Sequence, residues 1–416
     1  MSSTTDVHPV SILDTDLYKF TMQQAVLEKF PEIQCSYRFK NRSLQMKFTR
    51  ECIEVFKKAV SEMANLKLDS SEKEWLHSVC PFFKPQYLEY LSEYRFNPDQ
   101  VTINFVPSPE DPNVGELELD ITGPWVETIL WEVPLMSLLS ESYFKIVDRD
   151  WDYEGQEEQA YQKGIELLSS GILFSEFGTR RRRSHHAHDL VIMGLKRAMQ
   201  DAADKPGSLV GTSNVYLAYK HDLKPSGTIA HEWFMAIGAS LGYENANAKA
   251  LDLWHEVYGN SILIALTDTF TTEAFFKDFT ADRARLWSGI RQDSGDPFAY
   301  APRAKQMYQS LGVEPKDHFI VFSDNLNVDL AKKLKEQCDD LGLKCSFGIG
   351  TNFTNDFKKK SSGGTEKSKA LNIVIKIASV DGEPCVKLSD EQGKHMGDPE
   401  SIKKIQKVFS LDLCTK

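Results

Sequence analysis

No run of apolar residues in this sequence approaches the roughly 20 needed to cross a bilayer, so no membrane span or membrane partner is expected. A signal peptide is missing too: MSSTTDVHPVSILDTD has no basic stretch followed by an apolar core. Cysteine is scarce, at seven in 416 residues, and no two stand at CxxC spacing. That disfavours a zinc knuckle or a thioredoxin-like site. The odd, scattered set reads as free thiols in a reducing compartment, hence a cytoplasmic protein, with nuclear entry left open. Positive charge is in deficit: 49 Lys and Arg face 60 Asp and Glu, for a net −11. Nucleic acid is therefore not an expected partner, because non-specific binding needs a basic face. There is no Walker A sequence, no HExxH and no GxGxxG after a first strand. A P-loop, a zinc protease and a dinucleotide fold each lack their main signal.

What is present is a chain able to bury a large core, 41% hydrophobic and 26% charged, of a length that suggests two domains. Residues 1–10 read as a loose tail. Asp14 to Phe30 reads as a helix with Asp14 and Thr15 as cap candidates, and Thr49–Val60 and Ser71–Val79 read as two more. Val101–Val106 and Glu116–Ile121 alternate apolar and polar residues, as half-buried strands do. Residues 1–125 thus form an α+β unit, closed by Gly123-Pro124, and a long apolar helix follows through Trp131 to Phe144. Beyond it, short apolar runs alternate with helical stretches: Ile172–Phe174, Leu209–Val210, Ile229-Ala230, Ile262–Leu266, Arg285–Trp287, Phe319–Phe322, Lys344–Phe347 and Asn372–Ile377. These read as repeated βα units with parallel strands, enough to close a barrel, with an open doubly wound sheet as the alternative. Residues 354–370 are polar and basic, and read as a mobile solvated loop.

Ligands in parallel α/β folds gather beyond the carboxyl ends of the strands, and here those ends are polar. They carry Phe177-Gly178-Thr179-Arg180, Gly211-Thr212-Ser213-Asn214, Thr228 with His231, Thr267-Asp268-Thr269, Arg291-Gln292-Asp293, Ser323-Asp324-Asn325 and Gly348-Ile349-Gly350-Thr351. His231 stands where a small-residue run meets a helix, near free backbone N–H groups. Gly348 and Gly350 let amides approach a phosphate closely. Of the four arginines 180–183, Arg180 suits an anion, and at least two of the four are expected to be solvated. Asp293, Asp296 and Asp324 suit ribose hydroxyls or water-held Mg²⁺, although Asp296 before Pro297 fits a helix cap best. His185, His186 and His188 do not share one helical face, so no metal ligand is assigned.

DTDLYKFTM, YRFKNRS, GPWVETILWEVPL, EFGTRRRRS, GTSNVYLAYKHDLKPSGTIAHEW, RQDSGDP, FSDNLN and GIGTNFTND span nearly the whole chain. In these pieces, and in their order, the sequence closely resembles the nicotinate phosphoribosyltransferases of the eukaryotic cytoplasmic kind. The resemblance implies an α/β fold: an N-terminal α/β domain, an irregular α/β barrel over residues 126–370, and a C-terminal segment, 371–416, whose last strand packs back on the N-terminal domain. It implies a homodimer with shared active sites, the Tyr18 helix reaching the other subunit's site. It implies ATP as co-substrate, Mg²⁺, and transfer from phosphoribosyl pyrophosphate to nicotinate, with His231 phosphorylated in passing. Tyr18, Phe177, Thr228, Arg291 and Ser213 match the nicotinate side. Arg180, Asp293, Asp324, Gly350 and Thr351 match the phosphoribosyl pyrophosphate side. Nicotinamide-using relatives carry an aspartate where Ser213 stands. Serine removes that repulsion of a carboxylate substrate, for about 1–3 kcal/mol of discrimination.

Overall fold

The computed structural model describes residues 6–411, so Cys414 and part of the expected N-terminal tail lie outside the described residues. Within that tail, Val7 is buried in the core. Strands β1 (Gln34–Asn41), β2 (Phe48–Thr49), β3 (Val101–Pro107) and β4 (Val114–Pro124) build an antiparallel sheet. Period-two patterning causes it: Cys35, Tyr37 and Phe39 of β1 and Leu117, Leu119 and Ile121 of β4 turn to the core, while their neighbours face outward. The helix Leu17–Lys29 begins after Asp16, not at Asp14 or Thr15, and no side chain caps it. Asp14 is instead engaged by Arg182 and Asn214.

The second sheet is parallel. Its strands are β5 (Leu173–Glu176), β6 (Ser208–Thr212), β7 (Ile264–Leu266), β8 (Gly289–Gln292), β9 (Phe319–Phe322) and β10 (Lys344–Ile349), in the order β6-β5-β10-β9-β8-β7. Val210 of β6 and Ile264 of β7, from the two end strands, line one cavity together with Ser226, Gly227 and Thr228. The 226–228 segment sits between those ends. Ser226 N donates to Thr212 O at 2.8 Å, and Thr228 Oγ1 lies 3.5 Å from Ile264 O.

Four sequence expectations are corrected. Ile229-Ala230 is not a strand but the extended lead into the helix His231–Leu241. Arg285–Trp287 is no strand either: Thr280 caps a helix, Ala281–Leu286, over most of it. The strand starts at Gly289, where a Cβ would lie 2.3 Å from Phe319 O. Residues 354–370 carry a hairpin, β11 (Phe357–Lys358) paired with β12 (Lys367–Ser368). Asn372–Ile377 overlaps β13 (Ile373–Val380), which is not part of the parallel series: it pairs with β1 and with β14 (Glu383–Pro384), in line with a strand of segment 371–416 packing back on the N-terminal sheet. A continuous apolar run signals burial on both faces, and it does not reveal which sheet supplies the neighbours.

Candidate active site

His231 is the first residue of its helix and is buried, at 5% exposure. Its Nδ1 lies 3.0 Å from Thr269 Oγ1. Its Nε2 lies 3.0 Å from Asp293 Oδ2, 2.9 Å from Lys387 Nζ and 3.7 Å from Asp268 Oδ1. Burial first, and then Lys387, push its pKa down to about 4, against the pull of Asp268 and Asp293. The ring is therefore neutral at physiological pH. A neutral ring has one N–H. Placed on Nε2, that N–H donates to Asp293 and Nδ1 accepts from the threonine hydroxyl; placed on Nδ1, it donates to that hydroxyl and Nε2 accepts from the lysine. Asp293 is held ionised, well below the usual carboxylate range: burial opposes its charge, but His231, Arg291 and Lys387 outweigh it. Its other oxygen accepts from Ser323 Oγ at 2.7 Å.

Beside this centre lies the cavity between the ends of the parallel sheet. Phe177, Gly348, Thr228 and Arg291 line it. A Cβ at Gly348 would lie 2.3 Å from the Phe177 ring, so glycine makes the room in which that ring lies. A Cβ at Gly350 would stand 2.8 Å from Phe177 O. Arg291 donates from Nη1 to Ile229 O at 3.1 Å, while its buried Nε has no partner. A buried guanidinium N–H left free at a cavity is suited to an incoming carboxylate.

The four arginines part company. Arg182 and Arg183 are buried, which overturns the expectation of at least two solvated cations, since Arg180 and Arg181 are also largely covered. Arg180 has no ion-pair partner within 4 Å among the described residues, yet Tyr18, Glu132, Asp16 and Asp293 all bear on its charge, which sets it between the two halves of the site. Arg181 feels Asp324 and Asp293, while burial and Arg180 bring its pKa down to about 10. Asp324 accepts from Lys394 Nζ at 2.8 Å, and burial raises its pKa. Gly350 precedes the single turn Thr351–Thr354. Asp296 caps the helix Pro297–Ser310 by accepting from Phe298 N. His188 is bound to Glu176 at 2.7 Å and is not part of the site.

Tyr18 packs near Gly227 of its own chain, and Thr21 of the same helix donates to Thr228 O at 2.7 Å. The reach toward another subunit concerns an assembly; within one chain this helix already meets the site. Ser213 is buried and donates its hydroxyl to Asp16 Oδ1 at 2.8 Å. A carboxylate thus stands beside Ser213 after all, and burial raises its pKa. Lys387 and the roles of Asp268 and Glu232 were not found from sequence. For Lys387 the one signal is alternation: Val386 and Leu388 are buried, so the lysine between them turns the other way, to His231.

The NAPRTase family, described as nicotinate phosphoribosyltransferase, matches residues 172–413, and its N-terminal domain matches residues 13–140. A Schizosaccharomyces pombe protein named "Probable nicotinate phosphoribosyltransferase" is 46% identical over 399 residues, 94% of this chain and 96% of its own. The Methanosarcina mazei nicotinate phosphoribosyltransferase is 43% identical over 411 residues, 94% and 96% of the two chains. A crystal structure from Saccharomyces cerevisiae, described as "a putative nicotinate phosphoribosyltransferase", aligns with a TM-score of 0.95 at 41% identity, covering 98% of this chain and 100% of that one.

Proposed function

The chain belongs to the nicotinate phosphoribosyltransferase family and is an enzyme of that activity, and from that premise we propose an ATP-coupled mechanism that runs through His231. The observation that carries the proposal is a buried, neutral imidazole at a helix start, with a lysine at 2.9 Å from Nε2 and two aspartates beside it. In the Nδ1–H form Nε2 holds its lone pair and attacks the γ-phosphorus of ATP. The N–P bond forms, the bond to the β–γ bridging oxygen breaks, and ADP leaves with that electron pair. Lys387 stands where the new phosphoryl group carries its charge.

Nicotinate takes the cavity between the sheet ends. Phe177 and Tyr18 bound the pyridine ring, and Arg291 with Thr228 meets the carboxylate. Ser213 acts indirectly, by holding Asp16. Phosphoribosyl pyrophosphate lies across Arg180, Asp293, Asp324, Gly350 and Thr351. Pyrophosphate leaves the anomeric carbon with the bonding pair, and the pyridine nitrogen attacks the oxocarbenium-like centre. Stabilisation is electrostatic and positional. Water then cleaves the phosphohistidine to phosphate and restores the ring.

Mg²⁺ fits the donor set: Asp293 is ionised, and Asp268 Oδ1 is buried without a hydrogen-bond partner. One or two carboxylates with substrate phosphates and water suit this cation, which when bound supplies charge neutralisation at the leaving phosphates. We read the parallel sheet, with segment 226–228 between its end strands, as an irregular barrel, and the protein as a cytoplasmic homodimer. His231→Ala and His231→Glu test the coupling. Mononucleotide synthesis is expected to lose its ATP stimulation in both variants; full stimulation in either refutes the phosphohistidine.

A further inference from the structure

Behind the site lies a set of charges that the mechanism does not use. Lys19 is fully buried, and its Nζ lies 2.5 Å from Glu232 Oε2 and 2.5 Å from Glu132 Oε2. Glu232 Oε1 accepts from Tyr37 Oη at 2.6 Å and from Trp125 Nε1 at 2.8 Å. Glu132 Oε1 lies 3.3 Å from Lys376 Nζ. Two lysines thus balance two glutamates. They come from the Leu17–Lys29 helix, β13, the helix Glu132–Ile146 and the His231 helix.

Stability alone does not account for the set. Desolvating each charge costs several kcal/mol, and a well-packed apolar group of similar size serves stability as well or better. What an ion pair adds is direction, because both partners are fixed by hydrogen bonds. The chain order gives that direction a use. Lys19 follows Tyr18, and Glu232 follows His231. A few residues on, Thr21 holds Thr228.

We propose that the buried Lys19–Glu232 pair is a positioning element that fixes Tyr18 and His231 relative to each other, and so holds the ring-binding and phosphoryl-accepting halves of the site in one geometry. The inference rests on the functional reading above. Neither side chain touches substrate in that reading; both act through the residue that precedes them.

The test compares Glu232→Gln, Lys19→Met and the double variant in the full-length enzyme. Each single change leaves a buried charge short of a partner and lowers the unfolding midpoint. The double change removes one charge of each sign and recovers the midpoint. Positioning is not recovered. The double variant is expected to show a nicotinate KM raised about tenfold and more ADP released per mononucleotide formed, since small misplacements carry large kinetic penalties. A double variant with both quantities within about twofold of wild type makes the pair structural only and overturns the proposal. If these variants do not fold, Tyr37→Phe removes one donor to Glu232 and no charge. It is expected to raise the nicotinate KM while lowering the midpoint less than Glu232→Gln does, and a wild-type KM overturns the proposal. The wild-type enzyme separates the two levels: if it lacks ATP stimulation, the functional reading fails and this proposal with it, whereas a normal wild type beside a normal double variant refutes the pair alone.

Discussion

Four consecutive arginines divide into two pairs with opposite fates. Arg182 makes a two-pronged bond to Asp14, at 2.7 and 2.6 Å, in the interior. Arg183 lies over the rings of Phe144, at 3.7 Å, and Phe357, at 4.5 Å, and donates to Ser368. Burial brings its pKa down to about 9, against Asp148 and Tyr143. Arg180 and Arg181 have no such partners within ion-pair distance among the described residues, and they feel Asp16, Asp293 and Asp324 from the mouth of the site. The residue type is the same in all four. What differs is whether the fold has already supplied close partners, a carboxylate for Arg182 and rings with a hydroxyl for Arg183, or leaves them to a ligand. The same rule separates Lys19, paired twice, from Arg291, whose Nε is free beside the cavity.

The sharpest way to break this division is to remove Arg182. Arg182→Met strands Asp14, whose carboxyl the guanidinium holds below the usual range despite full burial. Loss of one partner of a buried pair costs about 3–5 kcal/mol, and the denaturant midpoint should fall accordingly. Arg182→Met with Asp14→Leu should regain most of that loss. A single variant as stable as wild type would mean the pair is not structural.

His231 extends the comparison to a group kept uncharged. Its pKa falls from the ordinary 6.5 to about 4 on folding, so below pH 6.5 the unfolded chain binds a proton that the native chain refuses. Its contribution to stability is present above pH 6.5 and is lost as the pH falls toward 4. The full drop is about 3 kcal/mol, from ~1.4 kcal/mol per unit. The ring is faced by Lys387, Asp268, Asp293 and Thr269. Unfolding of wild type and His231→Gln across pH 4–7 checks this, since glutamine removes that part of the slope. Equal slopes would place the proton elsewhere.

Arg180→Ala is the counterpart of the Arg182 change on the ligand side. We expect kcat/KM for phosphoribosyl pyrophosphate to fall about 10²-fold, as for loss of one preorganised charge at a reacting anion, while stability moves by less than about 1 kcal/mol. Should stability fall as far as in Arg182→Met, the two pairs would not be different in kind.

These partners explain what could be read without coordinates. The alternation in β3 and β4, the polar strand ends and the glycines at 348 and 350 are local properties, and a sequence exposes them directly. Arg182 and Asp14 are 168 residues apart and Lys387 and His231 are 156 apart, so nothing local ties them together. By sequence Ser213 is a contact that merely lacks charge, but its hydroxyl is committed to Asp16, 197 residues away. β13 looks like any buried strand until its partner is known. The residue roles at the mouth came from family resemblance, whereas pairing inside the fold needed the structure.

The smallest expected effect separates two glycines that a sequence treats alike. At Gly350 an added Cβ meets Phe177 O at 2.8 Å, and a backbone oxygen cannot move without the main chain that carries it. At Gly348 the obstruction is the Phe177 ring, at 2.3 Å, which can swing. Gly350→Ala should therefore cost about 1–3 kcal/mol of stability, the usual penalty for overpacking against a fixed neighbour. Gly348→Ala should leave the unfolding midpoint near wild type and displace the ring into the cavity that it lines. The nicotinate KM should then rise several-fold with kcat little changed, because ground-state and transition-state binding are lost together. A Gly348→Ala enzyme with normal KM and reduced stability would show that Phe177 is held as rigidly as Arg182, and that the cavity wall belongs to the part of the molecule whose partners are already supplied.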